Sequence, residues 1–348
     1  MKIMRKLLLP FSFLYWLGVT IRNWFFDIGF LRSKKVSVPV ISVGNVSAGG
    51  VGKTPFVELL IEKLSHRGPL SVVSRGYGRK SNGTVVVSDG HGIVSSVENS
   101  GDEPMQFAHR YRELIVVVDE QRVRGAQKAI ELGARIILLD DGFQHRYLER
   151  DLDIVILSAD EILDGDVLLP AGNRREPFSS LKRADVIAVT RCADANEYER
   201  VCAVGRERHI LPVNIPTVGL TTNLKGFKYT SNNEIVNAEL LRNKTLIAFS
   251  GIGNPKSLKD LMMTAKINVV TYIDFPDHHW YQESDIKRIG DVKNRAHADF
   301  ILTTEKDATR LRGRFEGFLK TESVITVEIQ QEICSGELRV EDLLKRIT

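Results

Sequence analysis

Residues 38–64 constrain the fold more than any other stretch of this 348-residue chain. An apolar run, VPVISV (38–43), leads into the loop GNVSAGGVGKT, and a helical pattern, PFVELLIEKL, continues from Pro55. Gly49, Gly50 and Gly52 let backbone N–H groups turn inward around phosphate oxygens, where side chains would block approach. Lys53 is then placed to reach β- and γ-phosphates and the Thr54 hydroxyl to hold Mg²⁺, while the helix N-terminus adds its dipole. Ser47 departs from the general pattern, which begins with glycine. A plain strand–helix turn also uses glycine. Strand before, Gly-Lys-Thr within and helix after predict instead a nucleoside triphosphate site over Ser47, Ala48, Gly49, Gly50, Val51, Gly52, Lys53 and Thr54.

Apolar runs alternate with helical patterns beyond this loop, as a doubly wound α/β domain requires. Expected strands cover 70–73, 114–118, 135–139, 154–157 and 186–190, with helices over 105–110 and 124–132. Residues 84–88, between Gly83 and Asp89-Gly90, read as a hairpin or edge strand. Pro, Asn, Thr and Gly interrupt the pattern over 211–237, predicting a linker near 212–220. A second α/β unit follows: a strand at 245–250, a GIGNP turn, a helix near Leu258, and strands at 269–273 and 300–302. The expected architecture is a P-loop NTPase-type doubly wound sheet with a second, smaller α/β domain. Its expected parts are 1–35, 36–212 and 213–348. Chain length suits two such domains.

The N-terminal part is unlike the rest. Residues 7–21 carry no charge, Trp24, Phe25, Phe26 and Phe30 follow, and Lys2, Arg5, Lys6, Arg22, Arg32, Lys34 and Lys35 surround a single acid, Asp27. A secretory signal wants a small-residue cleavage site, which is not evident, and export would part the loop from ATP. A spanning helix wants about 20 apolar residues, and Pro10 and Arg22 interrupt this run. An interfacial helix fits better: Leu14, Leu17, Ile21, Trp24 and Ile28 share one face, and Thr20, Asn23 and Asp27 another. A core helix packed on the sheet is the alternative. The reading taken is a monotopic contact with the cytoplasmic face of a membrane.

Composition adds exclusions. Cys192, Cys202 and Cys334 have no CxxC spacing, so neither a zinc site nor a disulfide framework is indicated. A net charge of +4, without a basic stripe interleaved with aromatics, does not argue for nucleic acid.

Four further stretches can carry chemistry. In ILLDDGFQHR (137–146) an apolar strand ends in Asp140 and Asp141, as P-loop enzymes place an acid near magnesium; a plain turn is the alternative. Asp102 and Glu103, in Gly-Asp-Glu-Pro, also fit an ordinary helix start. His278 and His279 in FPDHHWY suit acid–base chemistry, metal binding or packing. The basic loops SRGYGRK, Gln121-Arg122 and LPAGNRREP suit either anion anchoring or solvated surface.

Taken in order, SVGNVSAGGVGKTP, VSRGYGRK, GDEP, ILLDDGFQHR, RDLDIV, LPAGNRREP, AFSGIGNP, FPDHH and LTTEKD span 42–307. With them the chain resembles the tetraacyldisaccharide 4'-kinase, or lipid A 4'-kinase, family. Ser47 agrees with that family's own loop. The resemblance implies ATP-dependent phosphorylation of the 4'-hydroxyl of a lipid A disaccharide 1-phosphate, at the cytoplasmic face of the inner membrane. It implies Asp102 as the catalytic residue paired with His278, alongside Lys53, and Glu103 with Asp140 or Asp141 as magnesium contacts beside Thr54. Gln144 and His145 shape the site, and Tyr77, Arg122 and Arg175 serve nucleotide or acceptor. The rival classes are a nucleotide-dependent switch or partitioning ATPase and a membrane-bound nucleotide sensor. A guanine-reading Asn/Thr-Lys-x-Asp is not met by Thr304-Glu305-Lys306-Asp307, where lysine directly precedes aspartate.

Overall fold

The computed structural model describes residues 5 and 7–347, so Lys2 and Lys6 of the N-terminal charge cluster lie outside the described residues. The first region supplies β1 (Val40–Asn45), β2 (Leu70–Ser74), β3 (Val85–Asp89), β4 (Ile115–Val118), β5 (Ile136–Asp140), β6 (Leu152–Ser158) and β7 (Val186–Thr190). Its helices include α1 (Leu9–Asp27), α2 (Lys53–Leu64), α3 (Asp102–Arg110), α4 (Arg122–Glu131) and α5 (Ala195–Glu207). The second supplies β8 (Thr217–Tyr229), β9 (Ile235–Val236), β10 (Leu246–Ser250), β11 (Val269–Asp274), β12 (Phe300–Thr304) and β13 (Val324–Ser335). Its helices include α6 (Pro255–Thr264), α7 (Glu283–Arg295) and α8 (Glu305–Leu311).

A 13-stranded sheet runs through both regions in the order β11-β10-β12-β13-β8-β7-β6-β1-β5-β2-β4-β3, with β9 beside β8. β1 lies parallel between β5 and β6, and β3 closes one edge antiparallel to β4. Period-two alternation sorts each strand's residues onto two faces. Ile41, Val43, Val72, Val116 and Leu138 pack with Phe56, Leu60 and Leu64 of α2 and Phe107 of α3. Their strand neighbours Val40, Val73, Val117, Ile137 and Leu139 pack with Ala126 and Ala129 of α4 on the other face. The same division recurs in the second region. Leu246 and Ala248 meet Leu258 and Met262 of α6, while Ile247 and Phe249 meet Ile289 of α7. Helices thus cover both faces throughout, the doubly wound arrangement that continuous apolar strands demand. Val155, Leu157, Ile187 and Val189 continue one face onto Tyr198 and Val201 of α5.

The expected linker near 212–220 is not a loose connection. Thr217–Gly219 pairs parallel with β7, and the rest of β8 pairs antiparallel with β13. Thr, Asn, Lys and Gly in β8 hid this strand from its composition, because a long antiparallel partner satisfies its backbone without a continuous apolar face.

α1 is an amphipathic helix turned inside out. Ser12, Val19, Asn23 and Phe26 face the protein, whereas Leu14, Leu17, Ile21 and Trp24 are 62, 40, 42 and 54% exposed. Phe26 packs edge-on against Tyr147, and polar contacts hold the rest of the inward side. Ser12 Oγ donates to the Leu168 carbonyl at 2.9 Å and accepts the Ala171 N–H at 3.1 Å. Asn23 Nδ2 donates to Glu176 at 2.8 Å, and Arg146 pairs with Asp27 at 2.7 Å. Packing as a core helix would bury the apolar face, and this helix does not. No helix among the described residues is long and apolar enough to cross a membrane.

Candidate active site

The carboxyl ends of parallel strands open onto a crevice, and β1 delivers its loop there. Gly52 holds φ at +90° at the start of α2, and a Cβ there would approach Gln331 Nε2 to 2.7 Å. No side chain caps α2, so the N–H groups of its first turn face outward for an anion. Ala48, Gly49 and Gly50 are exposed; Val51 is buried, its carbonyl accepting from Thr190 Oγ1 at 2.8 Å. The Ala48 N–H donates to the Asn173 carbonyl at 2.7 Å, and the Ser47 hydroxyl donates to Glu161. Thr54 is half-buried in the first helical turn.

Lys53 lies across the mouth. Its Nζ donates to Asn45 Oδ1 at 3.1 Å and stands 3.5 Å from Asp141. Arg175 grips Asp141 with both guanidinium nitrogens, at 2.8 and 2.7 Å. Burial works to raise Asp141, but Lys53, Arg175 and Arg122 hold it well below the usual carboxylate range. Asp140 behaves oppositely. Burial, then the negative charges of Glu103 and Asp141, push it up to about 7. Its Oδ2 accepts from Ser74 at 3.3 Å, and its buried Oδ1 has no partner.

α3 brings in the acid. Gly101, at φ +89°, packs against the Tyr77 carbonyl so closely that a Cβ would sit 3.0 Å from it. Asp102 opens the helix at 5% exposure. Its Oδ2 meets His278 Nδ1 at 3.0 Å and Arg310 Nε at 2.7 Å, while Oδ1 accepts the Glu103 N–H at 2.9 Å. Burial would raise this carboxyl, but the His278 hydrogen bond, Lys306 and Arg310 together hold it well below its ordinary value. Lys306 donates to Glu103 at 3.0 Å and lies 3.4 Å from His278 Nε2. Tyr77 is exposed, with its ring centroid 5.0 Å from that of His278. His279, by contrast, bonds Asp285 in the first turn of α7 at 2.8 Å.

The anionic cluster adjoins a polar cleft of about 250 Å³ lined by Arg75, Glu120, Arg122, Asp141, Gln144, His145 and Arg175. Gln144 Nε2 donates to the Asn45 carbonyl at 2.8 Å, and its buried Oε1 has no partner. Arg122 is buried, its Nη1 donating to the Asp119 carbonyl at 3.2 Å. Burial, opposed by Asp141 and Asp140, brings it down to about 10. Burial and Arg122 push His145 down to about 4, so it enters the cleft uncharged.

The structure therefore brings Lys53, Asp102, His278, Glu103, Asp140, Asp141, Arg122, Gln144, His145 and Arg175 into one region. Sequence reasoning missed Asn45, Lys306, Asp307 and Arg310. The signal was present in Thr304-x-x-Asp307: the Thr304 hydroxyl does accept the Asp307 N–H at 3.1 Å, starting α8. That turn carries Lys306 and Arg310 into the site.

Magnesium is testable on these residues. Among the described residues no group of three or more His, Cys, Asp or Glu is arranged to hold a metal alone. Mg²⁺ is commonly held by one or two carboxylates plus phosphates and water. The unpartnered Asp140 Oδ1, Glu103 and the Thr54 hydroxyl form such a hard-oxygen set, and they fit the ion.

A glycine-rich phosphate loop facing a buried Asp–His pair defines a P-loop phosphotransferase. The tetraacyldisaccharide-1-P 4'-kinase family profile matches residues 4–348. Tetraacyldisaccharide 4'-kinases of Aquifex aeolicus and Flavobacterium johnsoniae are 38% and 35% identical, covering 89% and 90% of this chain and 91% and 89% of theirs. The Chlorobium luteolum enzyme is 36% identical over 98% of this chain and 97% of its own. The crystal structure of the Aquifex aeolicus kinase with ATP superposes with a TM-score of 0.79 at 34% identity, covering 99% of both chains. This chain belongs to the tetraacyldisaccharide-1-P 4'-kinase family.

Proposed function

We propose that this kinase transfers the γ-phosphoryl group of ATP to the 4'-hydroxyl of a tetraacyldisaccharide 1-phosphate, giving the lipid IVA type of product in lipid A biosynthesis. The observation that carries the reading is Lys53 and the uncapped α2 on one side of a crevice whose other side presents Asp102 bonded to His278.

Phosphoryl transfer passes through a loose transition state, so positioning and charge stabilisation do most of the catalysis. Ser47 to Thr54 wrap the triphosphate, and Lys53 offsets charge on its β- and γ-groups. Asp102 is the base. His278 and Arg310 occupy its Oδ2, so Oδ1, with a second lone pair, receives the acceptor hydroxyl proton. An acid held this far below its ordinary value is ionised at neutral pH, and in a loose transition state it orients the hydroxyl and takes the proton late rather than pulling it away early. Arg122 and Arg175 supply positive charge to an anionic acceptor in the cleft, where Gln144 Oε1 and neutral His145 offer hydrogen bonds to sugar hydroxyls. Tyr77 flanks His278 at the mouth. Thr54, Asp140 and Glu103 would hold Mg²⁺, with Asp141 nearby and already paired to Lys53 and Arg175. When bound, the ion neutralises developing phosphate charge.

The reading extends to domains and membrane. Residues 36–212 act as the nucleotide-binding unit and 213–348 as the smaller one, meeting at the active site through Asp102, His278 and Arg310. The exposed apolar face of α1 rests on the cytoplasmic leaflet of the inner membrane, where an acylated acceptor resides. Purified protein given labelled ATP and a lipid disaccharide 1-phosphate is expected to form a doubly phosphorylated product. ATP hydrolysis without labelled lipid would favour a switch ATPase, and nucleotide binding without turnover a sensor.

A further inference from the structure

Arg310 is the largest fully buried side chain among the described residues, 1% exposed. It belongs to α8, in the second region, yet its closest partner is Asp102 of α3, 208 residues away. Each edge of its fork has a separate task. Nε donates to Asp102 Oδ2 at 2.7 Å, while Nη1 donates to the Gly251 carbonyl and Asp307 Oδ1, both at 2.9 Å. Gly251 opens the GIGNP turn, and the same carbonyl accepts the His278 N–H at 3.2 Å. Asp307 fixes the far side: its Oδ1 also accepts the Gly251 N–H at 3.0 Å and the buried Tyr281 hydroxyl at 2.7 Å.

One guanidinium thus holds both members of the Asp–His pair, the acid directly and the histidine through the Gly251 carbonyl that its backbone N–H shares with Arg310. We infer that Arg310 is a positioning residue for phosphoryl transfer, which orients Asp102 so that Oδ1 alone faces the acceptor hydroxyl and sets His278 against Oδ2. The inference rests on Asp102 being the base. A planar fork with fixed donor directions can do this; a single ammonium, such as neighbouring Lys306 at 4.0 Å from Asp102, supplies charge without orientation.

The test compares Arg310→Lys and Arg310→Met in the wild-type chain and in an Asp102→Asn background, reading kcat, KM for ATP and thermal midpoint. Misplacing a reacting group costs about 100-fold, so Arg310→Met is expected to lose kcat by that order with KM for ATP nearly unchanged. Arg310→Lys is expected to lose about 10-fold, since it restores charge and not the fork. In the Asp102→Asn background neither substitution should lower the residual rate further, because groups acting as one unit are not additive. An equal fold-loss in both backgrounds would mean that Arg310 serves only the fold, and would overturn the inference. Should Arg310→Met not fold, Arg310→Lys carries the same comparison, and wild-type kcat there overturns it. Full activity of Asp102→Asn alone is a different failure: it removes the base assignment itself.

Discussion

Arg110 and Glu305 form a 3.1 Å ion pair at the opposite end of the two helices that Asp102 and Arg310 join at 2.7 Å. Asp102 and Arg110 are the first and last residues of α3, and Glu305 and Arg310 lie at the start and near the end of α8. The helices are therefore antiparallel and pinned at both ends, one pin inside the active site and one outside. Arg110 also reaches Glu58 on the phosphate-loop helix α2 at 2.8 Å. Glu305→Gln removes the outer pin and leaves Arg110 with Glu58. The expected result is a several-fold loss of kcat with a fall in stability of about 1 kcal/mol. Arg110→Met takes their shared partner from buried Glu58 and half-buried Glu305; because Glu58 takes up a proton rather than staying charged, the expected cost is about 1–3 kcal/mol in chemical denaturation.

Glu58 gives this cluster a pH signature. Burial raises its carboxyl to about 8 against the pull of Arg110, with Glu305 adding to the rise. The folded state thus binds a proton that the unfolded chain releases near pH 4.5. The associated stability is fully present below that pH and is lost as pH rises through about 8. Glu58→Gln should flatten the decline between these limits. Parallel unfolding curves for both proteins across pH 5 to about 9 would contradict the assignment.

Lys53→Ala should abolish transfer while the protein still folds, because Lys53 is partly exposed and its partners Asn45 and Asp141 remain held by Arg175. The loss should fall on kcat, since its charge acts on the triphosphate during transfer. Product formation near the wild-type rate would remove the phosphate loop from the mechanism.

The Asp102–His278 contact makes a sharper demand. Each of Asp102→Ala and His278→Ala should lower kcat strongly with nucleotide affinity nearly kept. The double variant should be little worse than the poorer single one, since coupled groups are not additive. Losses that multiply would leave His278 with a role independent of the acid.

Much of this was legible in the chain, and the exceptions share a cause. β1, β2, β5 and β7 declare themselves because they are buried on both faces and read as short, predominantly apolar runs. The phosphate loop and the acids ending β5 are local patterns, readable without tertiary contacts. β8 and β13 were not, since their stability comes from each other, about 100 residues apart in sequence, as in the Thr326–Lys228 pair. Arg310 failed for the same reason: nothing local separates a buried arginine from a solvated one on a helix as short as α8. For α1, residue spacing identified an apolar face and a polar one, but only the packed structure told which faces inward.

That orientation makes the membrane prediction specific. Deleting α1 would also expose Glu176, which Asn23 and Arg183 hold buried, so a truncation confuses membrane loss with damage to the fold. Leu17→Asp and Trp24→Glu change only the outward face, where both residues are largely exposed. Surface substitutions of this kind are expected to alter stability by less than about 0.5 kcal/mol. Removing buried apolar area at an interface, and adding an anion beside anionic headgroups, should instead weaken vesicle binding strongly. The pair should sediment poorly with anionic vesicles and show a raised KM for lipid presented in them. KM for ATP, and turnover of acceptor dispersed in detergent, should stay near wild type. Unchanged vesicle binding by the double variant would show that the exposed face of α1 is not what meets the bilayer.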